Sequence, residues 1–369
     1  MSTKDERGWD AMAERFWREE AGRSMQWVQG RFDSQNSQAW RYGERLYARK
    51  EEMLRELGWM TEEQWRRVVR EAPTVLNRTP DNVRQQVEGL REVLHAGEGE
   101  EGDAAVARAI RRRPDVLTRK IATLWAKRDA VEKLAGTLLG EVREGAGVSG
   151  GDAGAAGAGA GGGRKQGGRH GAYWAEAGAT VEGVATKMIG AAPQLLTAAE
   201  KRVAKRAREL IDLMEGRVGR ACAAGVIMSK PTLLSLNTEK LAAKWRLLVW
   251  ACERCEGWRD WLDSAQAGSI GTVLASGLER IAVLVVIVDL AEEWEAGAVR
   301  EGGDMDEKKA AVWAAAAELV RKAPKTLVDK SNLEGSKSRK GMLERLGVDL
   351  KVWKEVVEER AKKYADAAV

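Results

Sequence analysis

Apolar positions in this chain recur at helical spacing and then stop, each time at the same short phrase. Val69, Ile110, Ile189, Ile227, Ala267 and Val320 stand four residues before it, and Trp65, Val106, Ala185, Ala223, Asp263 and Ala316 stand eight before it. Spacings of four and eight mark one face of a helix, apolar here everywhere but Asp263. The phrase is Pro-x-x-Leu, at Pro73–Leu76, Pro114–Leu117, Pro193–Leu196, Pro231–Leu234 and Pro324–Leu327; Gly271–Leu274 keeps it without the proline. Proline lacks a backbone donor and clashes with the preceding turn, so it predicts the end of each helix. The following leucine predicts a short turn tucked under the helices. A second helix then starts, with signals at Thr79 before Pro80, Thr197 with Glu200, and Ser331 with Glu334; Thr61 with Gln64 opens the first helix of the first clear unit in the same way.

The copies are spaced by 41, 79, 38, 40 and 53 residues. Such self-similarity predicts a repeat array in which each unit packs mainly on its neighbours. The expected fold class is all-α, a right- or left-handed superhelical α-solenoid of tandem helix, Pro-x-x-Leu turn, helix repeats. Residues 1–56 read as a divergent helical cap, with Trp9, Met12, Phe16 and Trp17 as a helical stripe. Residues 57–144 and 172–345 read as repeats, and 346–369 as a closing helix in which Trp353 echoes Trp65. Residues 145–171 are so rich in Gly and Ala that they read as a flexible linker or loop.

Charge sharpens this picture. The net is +5 overall, but residues 164–260 hold 17 Lys/Arg against 10 Asp/Glu, while residues 1–144 hold 27 against 26. A basic middle points to an anionic partner more than the total does. Chemistry adds little. The two histidines, His95 and His170, have no ligand cluster at metal spacing, and Cys252-x-x-Cys255 has no second pair. Three cysteines in so long a chain fit a reducing compartment. Gly157 to Lys165 lacks the Gly-Lys-Ser/Thr ending of a phosphate loop. No catalytic residue, metal or cofactor is expected, and no apolar run has the roughly 20 residues of a membrane span.

Leu57-Gly58-Trp59-Met60-Thr61-Glu62-Glu63-Gln64, followed by Val68 to Leu76, resembles the motif of the mitochondrial transcription termination factor (mTERF) family. Ile189–Leu196 and Val320–Leu327 resemble it too, and Leu274–Arg280 is similar to a Ser-Leu-Glu-Arg segment of a late unit in that family. The resemblance covers most of residues 57–360 and suggests a divergent, plant- or alga-like member. The glycine-rich insertion and the missing proline at Gly271 depart from the pattern. The resemblance implies a monomeric solenoid whose basic concave face binds double-stranded DNA or RNA in a mitochondrion or chloroplast, without a membrane. It implies a role in transcription termination or RNA processing, beside organelle transcription or ribosome-assembly proteins.

Aligning the copies on the proline supplies candidates independently. Thirteen residues on stand Gln86, Lys127, Arg206, Lys244, Leu284 and Lys337; nine on stand Asn82, Thr123, Arg202, Lys240, Arg280 and Leu333. The two positions share a face of the second helix, and stacked cations there would follow a phosphate backbone. Lys201 and Lys205 add a neighbouring row, and Arg111, Arg112, Arg113 and Arg119 cluster at one turn. Such contacts set affinity and position, not base preference. The 15 tryptophans read mainly as core. The alternative reading is a protein-binding α-solenoid scaffold that touches no nucleic acid.

Overall fold

The computed structural model describes residues 11–24, 26–28, 42–145, 179–254, 256–264, 267–278, 281–283, 285–286 and 359–368. The Pro324 copy, the Ser331 cap, the Trp353 echo and nearly all of the glycine-rich stretch lie outside these residues. Every described element is helical, so the chain is all-α there. By Cα proximity it divides into two compact units, Met1–Lys133 with Ala185–Glu200, and Leu134–Val184 with Lys201–Val369.

In the first unit, α1 (Ala11–Arg15) runs on into a π-helical turn, Phe16–Glu20, and packs on α2 (Gly43–Glu56). Phe16 and Trp17 of the predicted stripe are fully buried, whereas Met12 is exposed. Glu20 lies beside them, accepting hydrogen bonds from Lys50 Nζ at 3.0 Å and Arg66 Nε at 3.0 Å. Burial alone would raise its pKa; the two cationic donors outweigh that and hold it below the usual carboxylate value.

Next comes the recurring piece. Helix α3 (Glu62–Glu71) opens with the predicted capping box. Gln64 N donates to Thr61 Oγ1 at 3.3 Å, and Thr61 N donates to Gln64 Oε1 at 3.0 Å. The helix stops at Ala72, the 3₁₀ turn Pro73–Asn77 follows, and α4 (Pro80–Val93) begins under the Thr79 cap. The second copy runs through α5 (Glu100–Arg112), the turn Pro114–Thr118 and α6 (Ile121–Gly145), whose first half belongs to this unit. The third runs through α7 (Val181–Ala191), the turn Pro193–Leu196 and α8 (Glu200–Val218). Most of α8 belongs to the second unit, where the fourth copy runs through α9 (Arg220–Ser229), the turn Pro231–Ser235 and α10 (Thr238–Arg254).

The proline writes the same backbone each time. The residue before it, which the ring bars from helical ψ, has φ/ψ of −133/61 at Ala72, −144/76 at Arg113, −136/69 at Ala192 and −135/67 at Lys230. In all four turns the proline and the residues two and three after it are buried. The second helix then starts seven residues after the proline, at Pro80, Ile121, Glu200 and Thr238. One expected cap does not form. The Thr197 hydroxyl donates to Gln194 O at 3.1 Å and accepts from Arg113 Nη2 at 2.9 Å, and α8 begins three residues later. Asn237, by contrast, caps α10 through Glu239 N at 2.8 Å and Lys240 N at 3.1 Å.

The fifth copy shows what the proline does by lacking it. After α11 (Glu256–Ser264), α12 (Ala267–Ala275) runs straight through Gly271 with no 3₁₀ break. A Cβ on Gly271 would lie 2.7 Å from Lys230 Cγ, 3.1 Å from Lys230 Cβ and 3.3 Å from Val226 O of the neighbouring α9 segment. A side chain there would therefore require Lys230 or the neighbouring backbone to shift. Gly271→Ala is expected to destabilise by about 1–3 kcal/mol, because the packed neighbours must shift; a melting curve unchanged from wild type would show that they yield freely. A last described helix, α13 (Glu359–Ala368), packs on α10.

Candidate nucleic-acid interface

The second helices α4, α6, α8 and α10 carry the two candidate rows, and the fold treats the rows differently. At the ninth position Asn82, Thr123, Arg202 and Lys240 are all exposed. Because each helix starts at the seventh position, these residues sit in its first turn. At the thirteenth position Gln86 is buried, Lys127 and Arg206 are half-buried, and Lys244 is only 8% exposed. Three of these four reach the next copy, two at its turn and Lys244 at the end of α12. Gln86 Nε2 donates to Val116 O at 2.9 Å, Arg206 Nη1 to Leu234 O at 2.9 Å and Lys244 Nζ to Leu274 O at 3.0 Å.

Electrostatics follow burial. Burial lowers the Lys244 pKa, and Lys240 lowers it further; Arg206 is lowered by burial and by Arg202. For Lys244 the folded pKa lies below the unfolded one, so between the two the unfolded chain binds more protons and stability rises with pH. The cost of charging Lys244 is fully present below its folded pKa and is lost toward 10.5, its ordinary value. Wild type is therefore expected to gain stability over Lys244→Met as pH rises from neutral into the alkaline range. Denaturant midpoints of the pair measured across that range check it; a constant difference would contradict the assigned burial.

The arginine cluster also divides. Arg111 and Arg112 are exposed, but Arg112 Nη1 donates to Gly190 O at 3.1 Å and Ala191 O at 2.8 Å, closing the end of α7. Arg113 is half-buried and holds Thr197 and Asp115, the latter at 3.2 Å through Nε. Arg119 is exposed and pairs with Asp115 at 3.5 Å. Lys201, Arg202, Lys205 and Lys240 are exposed on α8 and α10, with Lys205 near Glu209 at 3.6 Å. Arg280 and Lys337 lie outside the described side chains. The geometry thus separates the exposed cations Arg111, Arg119, Lys201, Arg202, Lys205 and Lys240 from Arg112, Arg113, Arg206 and Lys244, which bind neighbouring turns or helix ends, Arg112 while itself exposed; Lys127 is half-buried.

Sequence alignment passed over one joint residue. Arg128, one place after Lys127, is 1% exposed; it donates to Val93 O at 2.6 Å and Thr186 Oγ1 at 3.1 Å and pairs with Glu132 at 2.8 Å. Its signal was a basic residue one step out of phase with the row. Of the described tryptophans, Trp17, Trp65, Trp245 and Trp258 are buried, and Trp27, Trp59, Trp125, Trp250 and Trp261 are half-buried. Burial pushes the Cys222 thiol up to about 12, which keeps it un-ionised near neutral pH. Among the described residues no helix is long and apolar enough to cross a membrane.

No protein-family model matches this chain, and no curated protein matches it.

Proposed function

We propose that this chain is an α-solenoid that binds nucleic acid, double-stranded DNA foremost, through the exposed cations of its second helices. One observation carries the reading. Arg202 and Lys240 sit exposed in the first turn of α8 and α10, where the helix dipole disfavours a cation by about 0.3–1 kcal/mol. An anion at the same place meets these side chains and the helix ends, whose first turns also hold Glu200 and Glu239. Lys201 and Lys205 extend that surface on α8. The resemblance to the mTERF motif makes the setting an organelle and the role transcription termination or RNA processing. The action is occupancy by a monomer, with no chemistry and no cofactor.

The test is binding of the purified chain to mixed-sequence duplex DNA, single-stranded DNA and RNA over a salt series. Log affinity is expected to fall linearly with log salt, by roughly 0.9 per phosphate contact on duplex DNA, and the preferred ligand selects between a DNA and an RNA role. Absence of binding at low salt would overturn this reading in favour of a protein-binding scaffold.

A further inference from the structure

Three chemically different side chains do one task at the thirteenth position. The Gln86 amide, the Arg206 guanidinium and the Lys244 ammonium each reach a carbonyl two or three residues past the next copy's Pro position: Val116, Leu234 and Leu274. These carbonyls close a 3₁₀ turn or lie near the end of α12, where helical oxygens run out of intrahelical donors. The position follows the exposed ninth residue by one helical turn. Each of the three joints lies wholly inside one compact unit.

We infer that the thirteenth residue, at Gln86, Arg206 and Lys244, is an inter-repeat staple: a hydrogen-bond donor, neutral or charged, that binds a carbonyl of the next copy and so sets the spacing of the outward ninth residues, Arg202 and Lys240 among them, one turn before it. The positive charge of Arg206 and Lys244 is not itself a phosphate contact; these are positioning residues. Gln86 shows that the bond needs no charge, and its 4% exposure shows that the site is inside. The positioning half rests on the proposed function; the staple itself does not.

Variants of the full chain test both halves. Gln86→Leu leaves Val116 O to the Arg119 N–H at 3.4 Å, and the melting temperature is expected to fall by roughly 2–10 °C. Lys244→Leu is expected to weaken duplex DNA binding several-fold at temperatures well below its melting point. Lys244→Gln is expected to restore that binding, with the slope of log affinity against log salt unchanged. Gln86→Lys, which adds a charge at the same place, is expected to leave the slope unchanged too. A wild-type melting curve for Gln86→Leu would overturn the staple. A slope reduced by about 0.9 in Lys244→Gln would make Lys244 a phosphate contact and overturn its positioning role. Failure of the wild-type chain to bind any nucleic acid would overturn the positioning half together with the proposed function, while the melting of Gln86→Leu still decides the staple.

Discussion

Changing Lys201, Arg202, Lys205 and Lys240 together to glutamate is expected to cut the slope of log affinity against log salt by about 3–4, since each lost phosphate contact removes about 0.9. At moderate salt this amounts to a loss of several orders of magnitude in affinity for duplex DNA. All four side chains are exposed, and exposed substitutions away from special features change stability by about ±0.5 kcal/mol each, so the variant remains folded. Circular dichroism and a melting curve check that, and titrations at several salt concentrations check the slope. An unchanged slope would remove these residues from the interface. The same reversal at Arg206 or Lys244 cannot serve as this test. It would set a buried carboxylate against a carbonyl and disturb the joint, so lost binding would report lost structure.

Trp65→Ala is expected to destabilise the first unit by about 3–5 kcal/mol, the usual cost of emptying a large aromatic site. Trp65 is fully buried at the eighth residue before Pro73, where it fills the inner face of α3 against neighbouring helices. Trp65→Phe is expected to cost less, about 1–2 kcal/mol, because the cavity it leaves is smaller. The indole Nε1 is buried without a hydrogen-bond partner, so the smaller ring forfeits volume but no bond. Chemical denaturation of the three proteins checks the order. A Phe variant as unstable as the Ala variant would mean that the ring's exact shape, not its volume, holds the helix.

The helix breaks were legible because their cause is local. A proline ends a helix wherever it stands, and four of the five Pro-x-x-Leu phrases appear as 3₁₀ turns with the same preceding backbone; the fifth, at Pro324, lies outside the described residues. The apolar residues four and eight before them, such as Val69 and Trp65 or Ile110 and Val106, are buried as their helical phase required. The caps at Thr61 and Thr79 were legible for the same reason. At Thr197 the reading failed because a distant residue, Arg113, claims the hydroxyl. Gly271 was visible as an exception, but its reason was not: the close approach of Lys230 and Val226 is a tertiary fact.

The candidate site shows the same division. Sequence by itself determined that the described residues are helical, where the described prolines break the helices, and which positions of the second helices hold cations. It placed the ninth and thirteenth positions on one face, because four residues are about one helical turn. Only tertiary structure decided that Arg202 and Lys240 look outward while Arg206 and Lys244 turn in to carbonyls of the next copy. Helical periodicity gives a side chain's direction around its own axis. Whether that direction meets water or a neighbouring carbonyl depends on how the next repeat packs, and a lysine's charge is the same in both settings until burial distinguishes them.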